Sequence, residues 1–247
     1  MPEEPCFEVI ADRDMPDVEY LVAGFPGMGL IGGMASEQLI NTLELEQVAS
    51  LDCDQFPPTA VIFDGIPRRP VRFFAGQGML LAKSDMVIPP VLTARVAEHI
   101  IDFAIENGAR EAIVFDGIQE REDAEEDNKV WAIVSSHEAS EKAAAAGIDL
   151  IKRGAIAGMS STLLLYAQQQ NLEAIGMLAE GTPKLPDPRA TAKLLQVFAS
   201  YKSLDIDTGS LKESADQLEE QYAQLVAKTK QAQADMEPQA AHPPLYG

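Results

Sequence analysis

The chain has 247 residues, 46% of them hydrophobic and 23% charged, enough for one sizeable core of about 200 residues with an appendage, and inconsistent with a disordered polymer. Thirty-nine acidic against 19 basic residues leave a formal net charge of −20, which disfavours nucleic acid and anionic membranes as partners. No run of about eighteen apolar residues is present to span a bilayer and the first residues, M-P-E-E-P-C, lack the basic and apolar regions of a signal peptide, so a cytoplasmic protein is expected.

Residues 7 to 10 (F-E-V-I) suit an edge strand ahead of an acidic turn at Asp12 to Asp17. The stretch that organises the rest is Glu19 to Gly33, E-Y-L-V-A-G-F-P-G-M-G-L-I-G-G: a buried strand from Tyr20 to Ala23, a tight turn, and a helix from Leu30 to Leu43. Gly27, Gly29 and Gly32 match G-x-G-x-x-G, a pattern that brings backbone N–H groups up to a pyrophosphate. The match is incomplete. The acidic residue due about twenty positions on would be Asp52, in a short strand followed at once by Pro57 and Pro58, and no G-K-[ST] follows the glycines. A sharp turn with close helix-to-strand packing is the simpler reading.

Short apolar runs at Val48–Leu51, Ala60–Phe63, Val71–Phe74 and Met79–Ala82, separated by Pro and Gly, predict hairpins added to the sheet, which is therefore mixed. Pro89 and Pro90 are expected in the first turn of an amphipathic crossover helix with Val96, Ile100, Ile101, Ala104 and Ile105 inward, ended by Asn107-Gly108. Glu111–Phe115 is the strand it returns to, with a loop at Asp116-Gly117. The acidic run Glu120–Asp127 lacks the ligand spacing and fixed glycine of a calcium loop and reads as a solvated loop, so no metal is expected. Nor do Cys6 and Cys53 have metal-ligand spacing to His99, His137 or His242; free thiols are expected.

A strand at Val130–Val134 and an alanine-rich helix closed by Gly147 lead to I-A-G-M-S-S-T-L-L-L-Y-A, where Gly158 and Ser160 open an apolar helix. Ser160 is a possible anion contact or nucleophile, but there is no G-x-S-x-G elbow, and a helix cap is the simpler reading. Leu172–Leu178 reads as a late buried strand, and Asp187 as the cap of a helix from Arg189 to Tyr201. The globular domain is expected to span residues 1–207.

From residue 208 to 236 the pattern changes to a seam of period 3.5. Leu211, Leu218 and Leu225 recur every seven residues, with Tyr222 at the complementary offset, as in an oligomerisation helix about 40 Å long. Residues 237–247, E-P-Q-A-A-H-P-P-L-Y-G after Met236, are proline-stiffened and present Leu245, Tyr246 and Gly247: an apolar group, a phenol and a terminal carboxylate that suit a groove with a lysine.

Four motifs carry a family resemblance: G-F-P-G-M-G-L-I-G at 24 to 32, D-G-I-P at 64 to 67, G-M-S-S-T-L-L-L at 158 to 165 and A-E-G-T-P-K-L-P-D-P-R-A at 179 to 190. In these the chain resembles the proteasome assembly chaperone family, in particular its archaeal homologues, over roughly residues 7 to 236. The resemblance implies an α/β fold, a three-layer α/β/α sandwich similar to nucleoside phosphorylases, with a mixed sheet and a helical, coiled-coil-like C-terminal extension. It also implies a non-catalytic homo-oligomer, such as a trimer or tetramer, without a cofactor, whose partners are proteasome α subunits. Leu245, Tyr246 and Gly247 match the family's C-terminal hydrophobic-Tyr-X docking motif position by position. The alternatives are a nucleotide or nucleoside sensor or enzyme using the turn of Gly27, Gly29 and Gly32 beside Ser160, and a general holdase.

Overall fold

The computed structural model describes residues 6–119, 128–182 and 186–214. Within them lie β1 Phe7–Ala11, β2 Tyr20–Gly24, α1 Ile31–Thr42, β3 Glu46–Cys53, β4 Val61–Phe63, β5 Ile66–Arg68, β6 Val71–Gly76, β7 Met79–Ser84, α2 Thr93–Glu106, β8 Glu111–Gln119, β9 Val130–Val134, α3 His137–Ala145, β10 Asp149–Leu150, α4 Met159–Gln169, β11 Glu173–Gly181 and α5 Pro188–Lys202, and residues 209–214 are helical as well.

Nine strands form one mixed sheet in the order β1-β3-β6-β7-β2-β8-β11-β9-β10. Its centre, β7, β2, β8 and β11, is parallel, while β1, β3 and β6 join as antiparallel neighbours on one side and β9 pairs antiparallel with β11 on the other. β2 and β7 are buried along their whole length, which explains their unbroken apolar reading: a strand covered on both faces shows no alternation.

Residues of opposite parity feed two cores. Leu21, Ala23, Ala112 and Val114 pack with α2 and α4, whereas Val22, Ile113, Phe115 and Met177 pack with α1 and α5 on the other face. Three layers result, helices on either side of the sheet. α2 contributes Val96, Ala97, Ile100, Ile101 and Ala104, all 0% exposed, at the spacing that puts them on one side of a helix.

The structure differs from the expectations at several points. Pro89 and Pro90 precede α2 rather than opening it: the carbonyl of Pro89 accepts from Leu92 N at 2.8 Å in a turn, and the helix starts at Thr93. Asp116 and Gly117 are not a loop, because parallel pairing with β11 carries β8 on to Gln119. The Ala60–Phe63 hairpin does not extend the main sheet. β4 and β5 pair only with each other around Asp64-Gly65, whose φ angles of 50° and 77° suit the two-residue turn that joins twisted strands.

Between Asp207 and residue 214 the chain stays on the body. Gln38 donates to the carbonyl of Asp207 at 2.7 Å, and Leu211, expected in the oligomerisation seam, is 8% exposed within the α1/α5 core. Leu218, Tyr222 and Leu225, and the tail residues Leu245, Tyr246 and Gly247, lie outside the described residues.

Candidate functional site

The turn after β2 is built from backbone constraints. Gly27 is extended, Met28–Leu30 form a 3-10 turn, and Gly29 and Leu30 are both left-handed, at φ 61° and 52°. Glycine adopts that conformation freely; a leucine there costs on the order of 1 kcal/mol, so the surrounding contacts must hold it. One of them is the Gly29 carbonyl, which accepts from Asp187 N at 2.9 Å. Gly32 lets α1 approach the sheet: a Cβ there would stand 2.7 Å from the carbonyl oxygen of Phe115.

Asp187 in turn caps α5, its Oδ1 accepting from Ala190 N at 3.0 Å, while Oδ2 accepts from Thr182 N at 3.0 Å. The turn of Gly27 to Gly32 and the residues Thr182 and Asp187 to Ala190, far apart in sequence, are thus joined at the carboxyl ends of β2 and β11.

On the other face, α4 begins beside the same strand ends. Gly158 is its N-cap without a side-chain bond, and Ser161 and Thr162 bond back to the Gly158 carbonyl at 2.8 and 3.2 Å. Ser160, 6% exposed, donates its hydroxyl to Asp116 Oδ2 at 2.5 Å. Asp116 Oδ1 accepts from Gly117 N at 2.8 Å and lies where a side chain on Gly27 would go, at 2.5 Å from its Cβ position. Burial pushes the Asp116 carboxyl above its usual range, although the bonds from Ser160 and Gly117 act against the rise.

A crevice of about 440 Å³ opens between these parts, walled by Phe25, Met28, Ile118, Ile156 and Leu178, with Gly27, Asp116 and Ser160 at its polar end. It lies outside the carboxyl ends of parallel strands, where open α/β sheets place their ligands. Of the four residues of the possible ligand turn, Gly27 and Ser160 line it, while Gly29 and Gly32 hold the backbone behind it.

Asp116 escaped the sequence reading because Asp-Gly suggests a loop. Its position directly after the apolar run E-A-I-V-F was the available signal, since ligands of open α/β sheets sit beyond the carboxyl ends of such buried runs. Asp52 does not take part. Its strand, β3, runs antiparallel between β1 and β6 and is not adjacent to β2, so the ribose-binding geometry of the dinucleotide fold is absent. Among the described residues there is no cluster of three potential metal ligands, and no helix is long and apolar enough to cross a membrane.

Strand order, layering and the joined motifs at the carboxyl edge define an α/β/α protein with a crevice of its own, distinct from the nucleotide-binding doubly wound folds. The chain belongs to the PAC2 family, which it matches over residues 21–226. Among curated proteins it is 29% identical over 205 residues to MJ0106 of Methanocaldococcus jannaschii, covering 83% of this chain and 84% of that one. Among solved structures it is similar to Pyrococcus furiosus PbaA, described as an archaeal homolog of proteasome-assembly chaperone, with TM-score 0.83, 28% identity, and 94% and 97% of the two chains covered. P. furiosus PbaB, described as an archaeal proteasome activator, shares the fold at TM-score 0.78 and 24% identity over 89% of this chain and 98% of that one.

Proposed function

We propose that this protein is a non-catalytic, oligomeric binding protein of the cytoplasm that docks on the α ring of the proteasome core particle and assists its assembly or recruitment. The observation that carries the reading is the near full-length likeness to PbaA at 28% identity. The docking element is the Leu245-Tyr246-Gly247 segment: Leu245 fills a groove between neighbouring α subunits, the Tyr246 phenol hydrogen-bonds, and the Gly247 carboxylate pairs with a lysine.

Each tail alone binds weakly. An oligomer held by the helix containing Leu218, Tyr222 and Leu225 would offer several tails at once, and matched spacing raises avidity by roughly 10² to 10⁴ without any new contact. The acidic bodies, carrying −20 each, repel one another, so docking through a projecting segment also keeps them apart.

The test is co-elution with purified proteasome α subunits. Deleting residues 245–247 is expected to abolish it while the oligomer's mass, read by light scattering, stays the same. Adding one residue after Gly247 is expected to weaken it as well. Co-elution that survives both changes overturns the reading.

A further inference from the structure

The crevice beside Asp116 has a chemistry that tail docking does not use. Its walls are mainly apolar, with Gln119 and Ser160 as the uncharged polar side chains, and among its described lining residues Asp116 is the sole titratable group. The G-x-G-x-x-G turn and the start of α4 would ordinarily suggest phosphate, but a phosphate here would meet a carboxylate and, among the described lining residues, no lysine or arginine.

The carboxyl is fixed in direction. Ser160 donates to one oxygen and Gly117 N to the other, which leaves a lone pair on each for a further donor. Gly27, lacking a Cβ, leaves the approach to Oδ1 free of a side chain. An acid set in apolar walls, with no cation beside it among the lining residues, attracts a positive group more strongly than the same acid in water. The volume of about 440 Å³ is that of a small-molecule pocket.

We propose that the crevice is a binding site for a small organic amine, its ammonium group paired with Asp116 and its apolar body lying between Met28, Ile118, Ile156 and Leu178. Ser160 positions the carboxylate and does not react.

The experiment is thermal shift and calorimetric titration of the full chain with phenethylamine, cadaverine and agmatine. The control probes are 2-phenylethanol, 3-phenylpropionate and AMP. At least one amine is expected to raise the melting temperature by a few degrees, with no rise from the alcohol, the carboxylate or AMP. Asp116→Asn, which keeps an acceptor for Ser160, is expected to lose the response. Ala157→Trp is the independent check: Ala157 is exposed at the crevice rim, so the indole closes the opening without disturbing the core, and it should weaken amine binding at least tenfold. The proposal is overturned if none of the three amines binds, if the alcohol or AMP binds as well as the amine, or if amine binding is unchanged in both variants. Proteasome co-elution is read separately, so failure here leaves the docking reading intact.

Discussion

The backbone N–H of Asp187 donates to the carbonyl of Gly29 at 2.9 Å, so the residue that caps α5 also ties down the left-handed turn after β2. That bond fixes how the edge of the crevice is held, because the Asp187 carboxylate satisfies Ala190 N and Thr182 N at the same time. Replacing Asp187 by Ala removes these two bonds and a third, from the Thr182 hydroxyl to Oδ2 at 3.3 Å. A loss of about 1–2 kcal/mol is expected, the usual cost of an N-cap, which for a chain of this size is a fall in Tm of roughly 3–6 °C by calorimetry. Asp187→Asn keeps one acceptor, for the cap to Ala190 N, and gives up the other, so it should lose less than Ala; equal losses in the two variants would show that the cap is not responsible.

Adjacent glycines in α1 should respond oppositely. Gly32→Ala drives a methyl to 2.7 Å from the Phe115 carbonyl, a backbone atom held in β8, so α1 must shift; about 1–3 kcal/mol of stability should be lost in urea unfolding. Gly33→Ala meets nothing within 4 Å and should be neutral or gain up to about 1 kcal/mol from helix propensity. A loss in both would mean that propensity and packing have been assigned to the wrong residues.

Under α1, two buried cations share one acid. Asp85 accepts from Arg72 at 2.6 Å and Lys83 at 2.9 Å, and both cations are nearly inaccessible, at 6% and 4% exposure. Lys83 also pairs with Glu37 at 2.6 Å, but that carboxylate is half exposed. Asp85→Ala is therefore expected to cost about 3–5 kcal/mol, by leaving Arg72 buried without its partner, whereas Glu37→Ala should cost about 1 kcal/mol or less. Burial raises the Asp85 carboxyl, yet the hydrogen bonds and charges of Arg72 and Lys83 together outweigh it and hold it below the usual range. The sign follows. This contribution is present above about pH 4 and is lost as pH falls through the folded-state value, so the gap between wild type and Asp85→Ala should close in acid unfolding.

Asp116 should show the reverse. Burial holds its carboxyl above the usual range, so the native state binds its proton more tightly than the unfolded chain does, and its contribution is greatest below about pH 4 and lost as pH rises through the folded-state value. Asp116→Asn is accordingly expected to be at least as stable as wild type at pH 7, with its advantage shrinking or reversing near pH 3. Denaturant titrations at both pH values check this. A variant markedly less stable at pH 7 than at pH 3, relative to wild type, would contradict the assignment.

The sequence by itself determined the elements whose signals are local. The β2 run, the glycine turn, the amphipathic face of α2 and the Asp187 cap follow from apolar spacing and from backbone conformations open to few residue types, and a mixed α/β sheet could be inferred from them. Periodicity also picked out the seam of Leu211, Leu218, Tyr222 and Leu225, but only the tertiary structure shows Leu211 within the body's own core, because a heptad position does not say which surface buries it. Strand order was likewise beyond local reading: β3 lies away from β2 because long-range pairing with β1 and β6 decides its place, and that removes Asp52 from the glycine turn. The same non-local pairing extends β8 past Phe115, turns Asp116 from a loop residue into a strand residue just beyond the last pair with β2, and brings it to Ser160, 44 residues away in the chain.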